Sequence, residues 1–453
     1  MKLAYIGTGY VGLVNGAVMA DAGNSVVCVD KDVARIEMLR ALQMPIYEPG
    51  LEELVRKNVA AGRLKFSTSL EDAVCSSDVL FICVGTPSLN DGSADLSSVF
   101  DVGLSVAEIV KKNGLDYRLL VVKSTVHPMT TDRLQEKTSQ IVSVNNLELA
   151  MNPEFLQEGV AVHNATHPDR IVVGAFTNRA SDLLYELYKP FRKNGAPIRD
   201  DLLPREAELV KYVSNARLAV QLSFQNECAE LCDSFGANIR KVLEAVTDDK
   251  RIGKKFMHPS GGYGGSCFPK DVKALVYAAK NVGVNLSVAK AADDANEHAK
   301  KVLLGKIDLY FGGNIVGKTF AVWGLAFKAR TDDAREAPSI EIIEGALRRG
   351  ARVRAYDPQA MDFVRRKTTI KERIEYVTDA KQALVGADAL IICTEWPEFC
   401  SPDLECVKSM IKHPVIFDNK DILDLDKVTQ MGFAYFGIGV ENELARSYRN
   451  AGK

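Results

Sequence analysis

The stretch KLAYIGTGYVGLVNGAVMADAGNSVVCVD, residues 2–30, decides the fold. An apolar run ends at Ile6, glycines stand at Gly7, Gly9 and Gly12, small residues follow, and a second apolar run ends at Asp30. That order predicts strand, tight turn, helix and strand. The glycines permit the turn, let a pyrophosphate approach the backbone, and let helix pack closely on strand. The helix N-terminus at Tyr10 and Val11 then faces the phosphates. Asp30 is placed to accept hydrogen bonds from an adenosine ribose. Its charge would repel a 2′-phosphate, which favours NAD over NADP; Lys31 and Arg35 soften that preference without reversing it.

Bulk properties narrow the rest. At 453 residues the chain holds two or three domains with buried cores. A net charge of -2 offers nothing to nucleic acid or an anionic membrane. No apolar run approaches the roughly 18 residues of a spanning helix. The glycines by Gly12 and the immediate strand argue against a signal peptide. Nine cysteines lack any framework spacing. Cys28, Cys83 and Cys393 sit in apolar runs as small hydrophobes. Cys228 and Cys232, four apart with no histidine nearby, read as core rather than metal ligands. No metal is expected, and a reducing cytoplasm is the natural compartment.

The opening pattern has an echo. TFAVWGLAF (319–327) is a strand reaching a glycine, GARVRAYD (350–357) ends in Asp357, and Asp388 in GADALIICTEW (386–396) repeats Asp78 in SSDVLFICVGTP (76–87). The chain therefore reads as α/β, with two doubly wound Rossmann-like domains. The second lacks GxGxxG, since Leu-Ala-Phe-Lys follows Gly324; Lys328 is available for a phosphate. Between the halves, residues 204–236 carry apolar positions at helical spacing, with Pro204 suited to the start and Gly236 to the end. This long central helix is expected to join domains or subunits. The expected division is 1–198 for the NAD-binding domain, 199–300 for a central helical domain with a catalytic loop, and 301–453 for the second Rossmann-like domain.

GGYGGSCFPKD (261–271) carries the chemistry. A dehydrogenase that stops at a carbonyl needs no thiol. A thiolate is useful if the carbonyl is oxidised again, because its adduct, a thiohemiacetal, loses a second hydride to become a thioester. Cys267 would be favoured as thiolate by the loop's amides and by Lys270; the bland alternative is a structural thiol in a turn. Glu154 and Glu158 in NPEFLQEG (152–159) share a face if that segment is helical. Lys211 and Asn215 are also four apart, on the long helix. Ser124 and Thr125 end one apolar strand, and Gly85, Thr86 and Pro87 end another, where α/β sheets bind ligands.

These motifs, with PIYEPGL (45–51), KSTV (123–126), PDRIVVG (168–174), KYVSNA (211–216), RIG (251–253) and GLAFKARTDDAREAPS (324–339), resemble the UDP-glucose/GDP-mannose dehydrogenase family over nearly the whole chain. The resemblance implies an NAD-dependent, two-step oxidation of UDP-glucose to UDP-glucuronate in a homodimer or higher homo-oligomer. Cys267 is then the nucleophile of the second oxidation, Lys211 the oxyanion stabiliser, Asn215 its hydrogen-bonding partner at the sugar, and Asp271 the group that positions lysine and water. Thr125 and either Glu154 or Glu158 are implied in water-mediated proton transfer. The segment of Glu154, Phe155, Leu156 and Glu158 resembles substrate-binding positions, as does Lys328. The loop through His258, Ser260, Gly261, Tyr263 and Gly264 would wrap the nucleotide sugar beside Phe268. Arg251 matches an arginine that reaches a neighbouring subunit's substrate, and Arg335 one that approaches the cofactor. The chain departs from the family at Lys420, where an arginine is usual; a lysine keeps the charge and loses the bidentate geometry, so altered sugar contacts are expected. Rival readings are the same reaction on GDP-mannose or a UDP-N-acetylhexosamine, and a catalytically silent NAD-binding scaffold.

Overall fold

A computed structural model of the chain describes residues 1–367 and 373–451. They divide into two compact units, Met1–Ser214 with Ala274–Val284, and Asn215–Lys273 with Asn285 onward.

The first unit is a sheet of β1 (Lys2–Ile6), β2 (Ser25–Val29), β3 (Leu64–Ser67), β4 (Val79–Ile82), β5 (Arg118–Val122), β6 (Leu147–Met151), β7 (Ile171–Ala175) and β8 (Ile198–Leu202). Its spatial order is β3-β2-β1-β4-β5-β6-β7-β8. β1 to β6 are parallel, and β7 with β8 runs opposite. Strands such as VLFI in β4 are buried throughout, as a parallel sheet covered on both faces requires. Successive residues feed opposite layers: Tyr5 and Phe81 belong to one cluster, Ala4, Leu80 and Ile82 to the other. The strand order reverses between β1 and β4, opening a crevice at their carboxyl ends.

The second unit repeats this with β9 (Thr319–Trp323), β10 (Arg352–Tyr356), β11 (Ile374–Tyr376), β12 (Ala389–Ile392), β13 (Val415–Asp418) and β14 (Ala434–Phe436), ordered β11-β10-β9-β12-β13-β14. The echoed aspartates have a shared structural job. Asp78 accepts from the amide of Lys2 at 3.3 Å, and Asp388 from that of Thr319 at 2.8 Å, each pinning a strand start. Asp30 and Asp357, past β2 and β10, accept from the turns after β1 and β9 through Thr8 and Leu325.

The long helix runs Pro204–Phe235, carrying the chain from the first unit into the second. Gly236 stops it with φ +67°, a left-handed position that suits glycine. Leu209, Val213, Phe224, Leu231 and Phe235 stay exposed along it. Among the described residues no helix is long and apolar enough to cross a membrane, and no cluster of His, Cys, Asp and Glu could hold a metal.

Candidate active site

The glycines of the first turn divide by function. A β-carbon on Gly7, at φ +103°, would lie 2.6 Å from the carbonyl oxygen of Cys83, and one on Gly12 would lie 1.8 Å from that of Gly7. Those two serve the fold. Gly9 has an ordinary φ of -77° and nothing within 4 Å of a β-carbon's place. The helix that it starts, Tyr10–Asp21, has no side-chain cap and no acid in its first turn. Its leading N–H groups suit an anion, so these residues fit the pyrophosphate of a dinucleotide.

Asp30 accepts from the amide and hydroxyl of Thr8, both at 2.8 Å, and from the amide of Asp32 at 3.0 Å. Burial pushes its carboxyl up, but these bonds and the charge of Arg35 hold it below the usual range. Ionised and part-buried, it keeps acceptor capacity for ribose hydroxyls. At the ends of β4 and β5, Thr86 donates to the carbonyl of Thr125 at 2.9 Å and Ser124 to that of Val84 at 2.7 Å. The loops carrying Gly85, Pro87 and Thr125 are thereby tied together, and the hydroxyl of Ser124 is committed to that bond.

NPEFLQEG is not helical. The condition under which Glu154 and Glu158 would share a helix face is therefore not met. The local cause is a competing side-chain bond: Oε2 of Glu154 accepts from the amide of Leu156 at 2.5 Å, and Gly159 turns the chain at φ +82°. The following amides, of Gly159 and Ala161, go to the buried carboxylate of Glu48 at 2.7 Å each. The two glutamates differ in burial, Glu154 being buried and Glu158 part-exposed. Glu154 is buried and pairs with Nζ of Lys211 at 3.0 Å, both side chains under 8 % exposed. Burial pushes Glu154 up, while Lys211, the Leu156 amide and Lys123 bring it below the ordinary glutamate range. Phe155 lies under Arg170, 3.8 Å from ring centre to guanidinium, with Lys211 5.5 Å away. Leu156 and Glu154 line a cavity of about 60 Å³ with Asn15, Lys123, Asn152 and Tyr188.

In the second unit, Cys267 immediately precedes the helix Phe268–Asn281, whose first turn contains Pro269. A thiol at a helix N-terminus meets the positive end of the dipole. Its carbonyl accepts from the amide of Asp271 at 2.9 Å, and the hydroxyl of Ser266 lies 3.5 Å from Sγ. Asp271, 1 % exposed, accepts from Asn215 Nδ2 and Lys270 Nζ at 2.6 Å each. Asn215, Asp271 and Lys270 thus form one chain of polar contacts on the turn that follows Cys267. Burial pushes the thiols of Cys28, Cys83 and Cys393 up, Cys83 to about 12, whereas Cys267 is only part-buried.

The glycine loop is shaped by close approaches. A β-carbon on Gly261 would lie 1.8 Å from Oδ1 of Asn419, and one on Gly264 2.4 Å from the carbonyl oxygen of Glu336. Asn296 grips Tyr263 through both backbone groups, at 2.7 and 3.1 Å, and Asn226 holds the amide of Ser260 at 2.8 Å. Tyr263 meets Phe268 edge-on at 5.8 Å, while His258 is exposed. Lys328 sits 5.5 Å from the Phe327 ring. Lys420 donates to the carbonyl of Phe327 at 3.0 Å and lies 3.4 Å from Glu395. Arg335 is chelated by Asp333, with a closest contact of 2.6 Å, and belongs to the second unit. Arg251 is 90 % exposed and held by Asp249.

Sequence reasoning passed over Lys123, Asn152 and Tyr188, which meet beside Glu154. The available signal was a lysine closing an otherwise apolar strand, VVK, where charge is unusual.

Residues 1–192, 205–298 and 321–425 match, in turn, the NAD binding, central and UDP binding domains of the UDP-glucose/GDP-mannose dehydrogenase family. A UDP-glucose 6-dehydrogenase of Rhizobium meliloti (strain 1021) is 42% identical over 442 residues, covering 97% of this chain and 99% of that protein. Among solved structures, a UDP-glucose dehydrogenase from Pyrobaculum islandicum superposes with a TM-score of 0.88 at 37% identity, covering 97% of each chain. A UDP-D-ManNAc dehydrogenase from Pyrococcus horikoshii gives 0.83 at 26% identity, covering 97% of this chain and 99% of that one.

Proposed function

This chain belongs to the UDP-glucose/GDP-mannose dehydrogenase family, and on that footing we propose that it oxidises UDP-glucose to UDP-glucuronate through a thiol adduct. Bound NAD⁺ supplies the hydride acceptor for both oxidations. Gly9 and the uncapped helix at Tyr10, Val11 and Gly12 hold its pyrophosphate, and Asp30 its ribose. Glu154 takes the proton of the 6-hydroxyl, through water with Thr125. Cys267 adds to the aldehyde carbon, carries the thiohemiacetal and then the thioester, and is released when water opens it to the carboxylate. Lys211 stabilises the developing oxyanion, while Asn215 and Asp271 set the polar groups beside the thiol.

The observation that carries this reading is the placement of Cys267, part-buried at a helix N-terminus beside the Asn215–Asp271–Lys270 chain. The glycine loop, Phe268, Lys328 and Lys420 receive the nucleotide sugar, and Arg335 serves the cofactor. The proposed division is 1–198, 199–300 and 301–453, supported by family segments at 1–192, 205–298 and 321–425. The exposed apolar positions of the long helix favour a homodimer, in which Arg251 reaches a neighbouring subunit's substrate. The nine cysteines, none of them in a disulfide, favour the cytoplasm.

The test is NADH formed per UDP-glucose consumed. A ratio near two is expected. A ratio near one would leave a simple alcohol dehydrogenase and return Cys267 to structure. No NADH, followed by turnover of GDP-mannose or an N-acetylated UDP-sugar, would move the substrate.

A further inference from the structure

Four lysines are buried among the described residues: Lys123, Lys211, Lys300 and Lys306. Three contact carboxylates. Lys211 has Glu154 at 3.0 Å, Lys300 has Glu297 at 2.8 Å and Glu336 at 3.1 Å, and Lys306 has Asp233 at 2.5 Å and Glu441 at 2.9 Å. Lys123 is 3 % exposed and bonds only neutral oxygens: Oδ1 of Asn152 at 2.8 Å, the carbonyl of Asn152 at 3.4 Å and the hydroxyl of Tyr188 at 3.3 Å. The rings of Tyr188 and Phe81 lie 5.7 and 6.0 Å from its ammonium.

A cation buried without a contacting counter-ion is expensive, and none of these hydrogen bonds requires a charge, since a neutral amide would also donate. The charge therefore acts beyond its contacts. Lys123 and Glu154 face the same small cavity, which is roomy enough for water. Cys83, Glu154 and Lys211 act on Lys123 through their fields, Asp169 and Arg170 line the same cavity, and burial lowers the pKa of Lys123 to about 8.

The triangle also fixes geometry. Tyr188 donates to Oδ1 of Asn152 at 2.5 Å, while Asn152 reaches the carbonyl of Val172 at 2.7 Å and that of Val122 through its own amide at 2.9 Å. Asn152 is thus clamped where the chain leaves β6, two residues before Glu154.

We propose that Lys123 is a positioning residue for Glu154, a second cation fixed behind the carboxylate so that it stays ionised and aimed while Lys211 serves the substrate. This rests on the reading of Glu154 as the proton acceptor. With one cation shared between carboxylate and substrate oxygen, Glu154 would lose its partner at the step where it must remain charged. Lys123 removes that conflict.

The test is the pH dependence of kcat for the full-length enzyme with UDP-glucose and NAD⁺. Lys123→Met is expected to move the acid limb up by about one pH unit and so to lower kcat about tenfold on the acid side of that limb, with KM for NAD⁺ unchanged. Lys123→Arg should return the limb toward its original place. Tyr188→Phe removes a hydrogen bond from the same triangle and no charge, so its limb should stay. If Lys123→Met does not fold, Lys123→Gln, which keeps the donor, is read in its place. A neutral variant with an unmoved limb, or a Tyr188→Phe limb that moves as far, overturns the proposal. Glu154→Gln separates the two readings. If it turns over normally, the role of Glu154 falls and this proposal with it; if it is inactive while the Lys123→Met limb is unmoved, only this proposal falls.

Discussion

Asn215 and Asp271 are joined side chain to side chain at 2.6 Å, one from the long helix and the other from the first turn after Cys267. The second carboxylate oxygen is taken by Lys270. Asp271→Asn keeps the shape and deletes the charge, leaving Lys270 without its ion-pair partner. We expect kcat to fall on the order of a hundredfold, with little change in KM for NAD⁺. Steady-state kinetics beside a thermal melt separates this from unfolding, since breaking a buried pair also costs about 3–5 kcal/mol.

Two glycines should answer alanine in opposite ways. Gly9→Ala meets open space at an ordinary φ, so its melting temperature should match the parent while KM for NAD⁺ rises about tenfold, equivalent to about 1.4 kcal/mol. Gly261→Ala drives a methyl into Asn419 and should cost about 1–3 kcal/mol of stability before any substrate is added. Equal effects on NAD⁺ affinity and stability in both variants would contradict the division of roles.

Glu208 is buried, with Oε1 accepting the amide and hydroxyl of Thr131 at 2.8 and 2.7 Å. Burial raises its pKa from 4.5 to about 7. A carboxyl raised in the folded state contributes stability while protonated, in full below about 4.5, and loses it as pH rises through 7. Glu208→Gln should therefore stabilise the protein at pH 8 by about 2 kcal/mol and hardly at all at pH 5. Denaturant titrations at the two pH values measure the difference.

Lys420 spends its ammonium on the carbonyl of Phe327 and on Glu395. Lys420→Arg introduces a fork that holds the carboxylate with two donors and frees others for the sugar nucleotide. The expected outcome is a lower KM for UDP-glucose, by about threefold or more, at unchanged KM for NAD⁺. An unchanged sugar KM would show that the lysine alters nothing there.

The opening motif was legible almost to the residue because every element in it is local. β1 stops at Ile6, the helix begins at Tyr10, and β2 stops one residue before Asp30. The long helix was equally plain, with Pro204 and Gly236 at its ends. The conformation around Glu154 was not legible, because two glutamates at helical spacing cannot report that one of them caps its own loop. Pro153 and Gly159, which flank them, were the better guides. Lys123 was passed over because its partners Asn152 and Tyr188 are distant in sequence. Only pairing of β5 with β6 and packing of the helix ending at Tyr188 bring them to it.

The two acids that close β2 and β10 have different fates. Oδ2 of Asp357 is claimed by the amides of Leu325 and Ala326 and by the indole of Trp396, and Oδ1 by the amides of Gln359 and Ala360. It is wholly buried, whereas Asp30 is part-exposed. The second sheet thus repeats the scaffold of the first and has turned its recognition acid into a rivet. Asp357 therefore has no acceptor left to offer a ribose at that sheet, where Asp30 on the first keeps some. The acid that can grip a ribose on one sheet is, on the other, spent on holding the protein to itself.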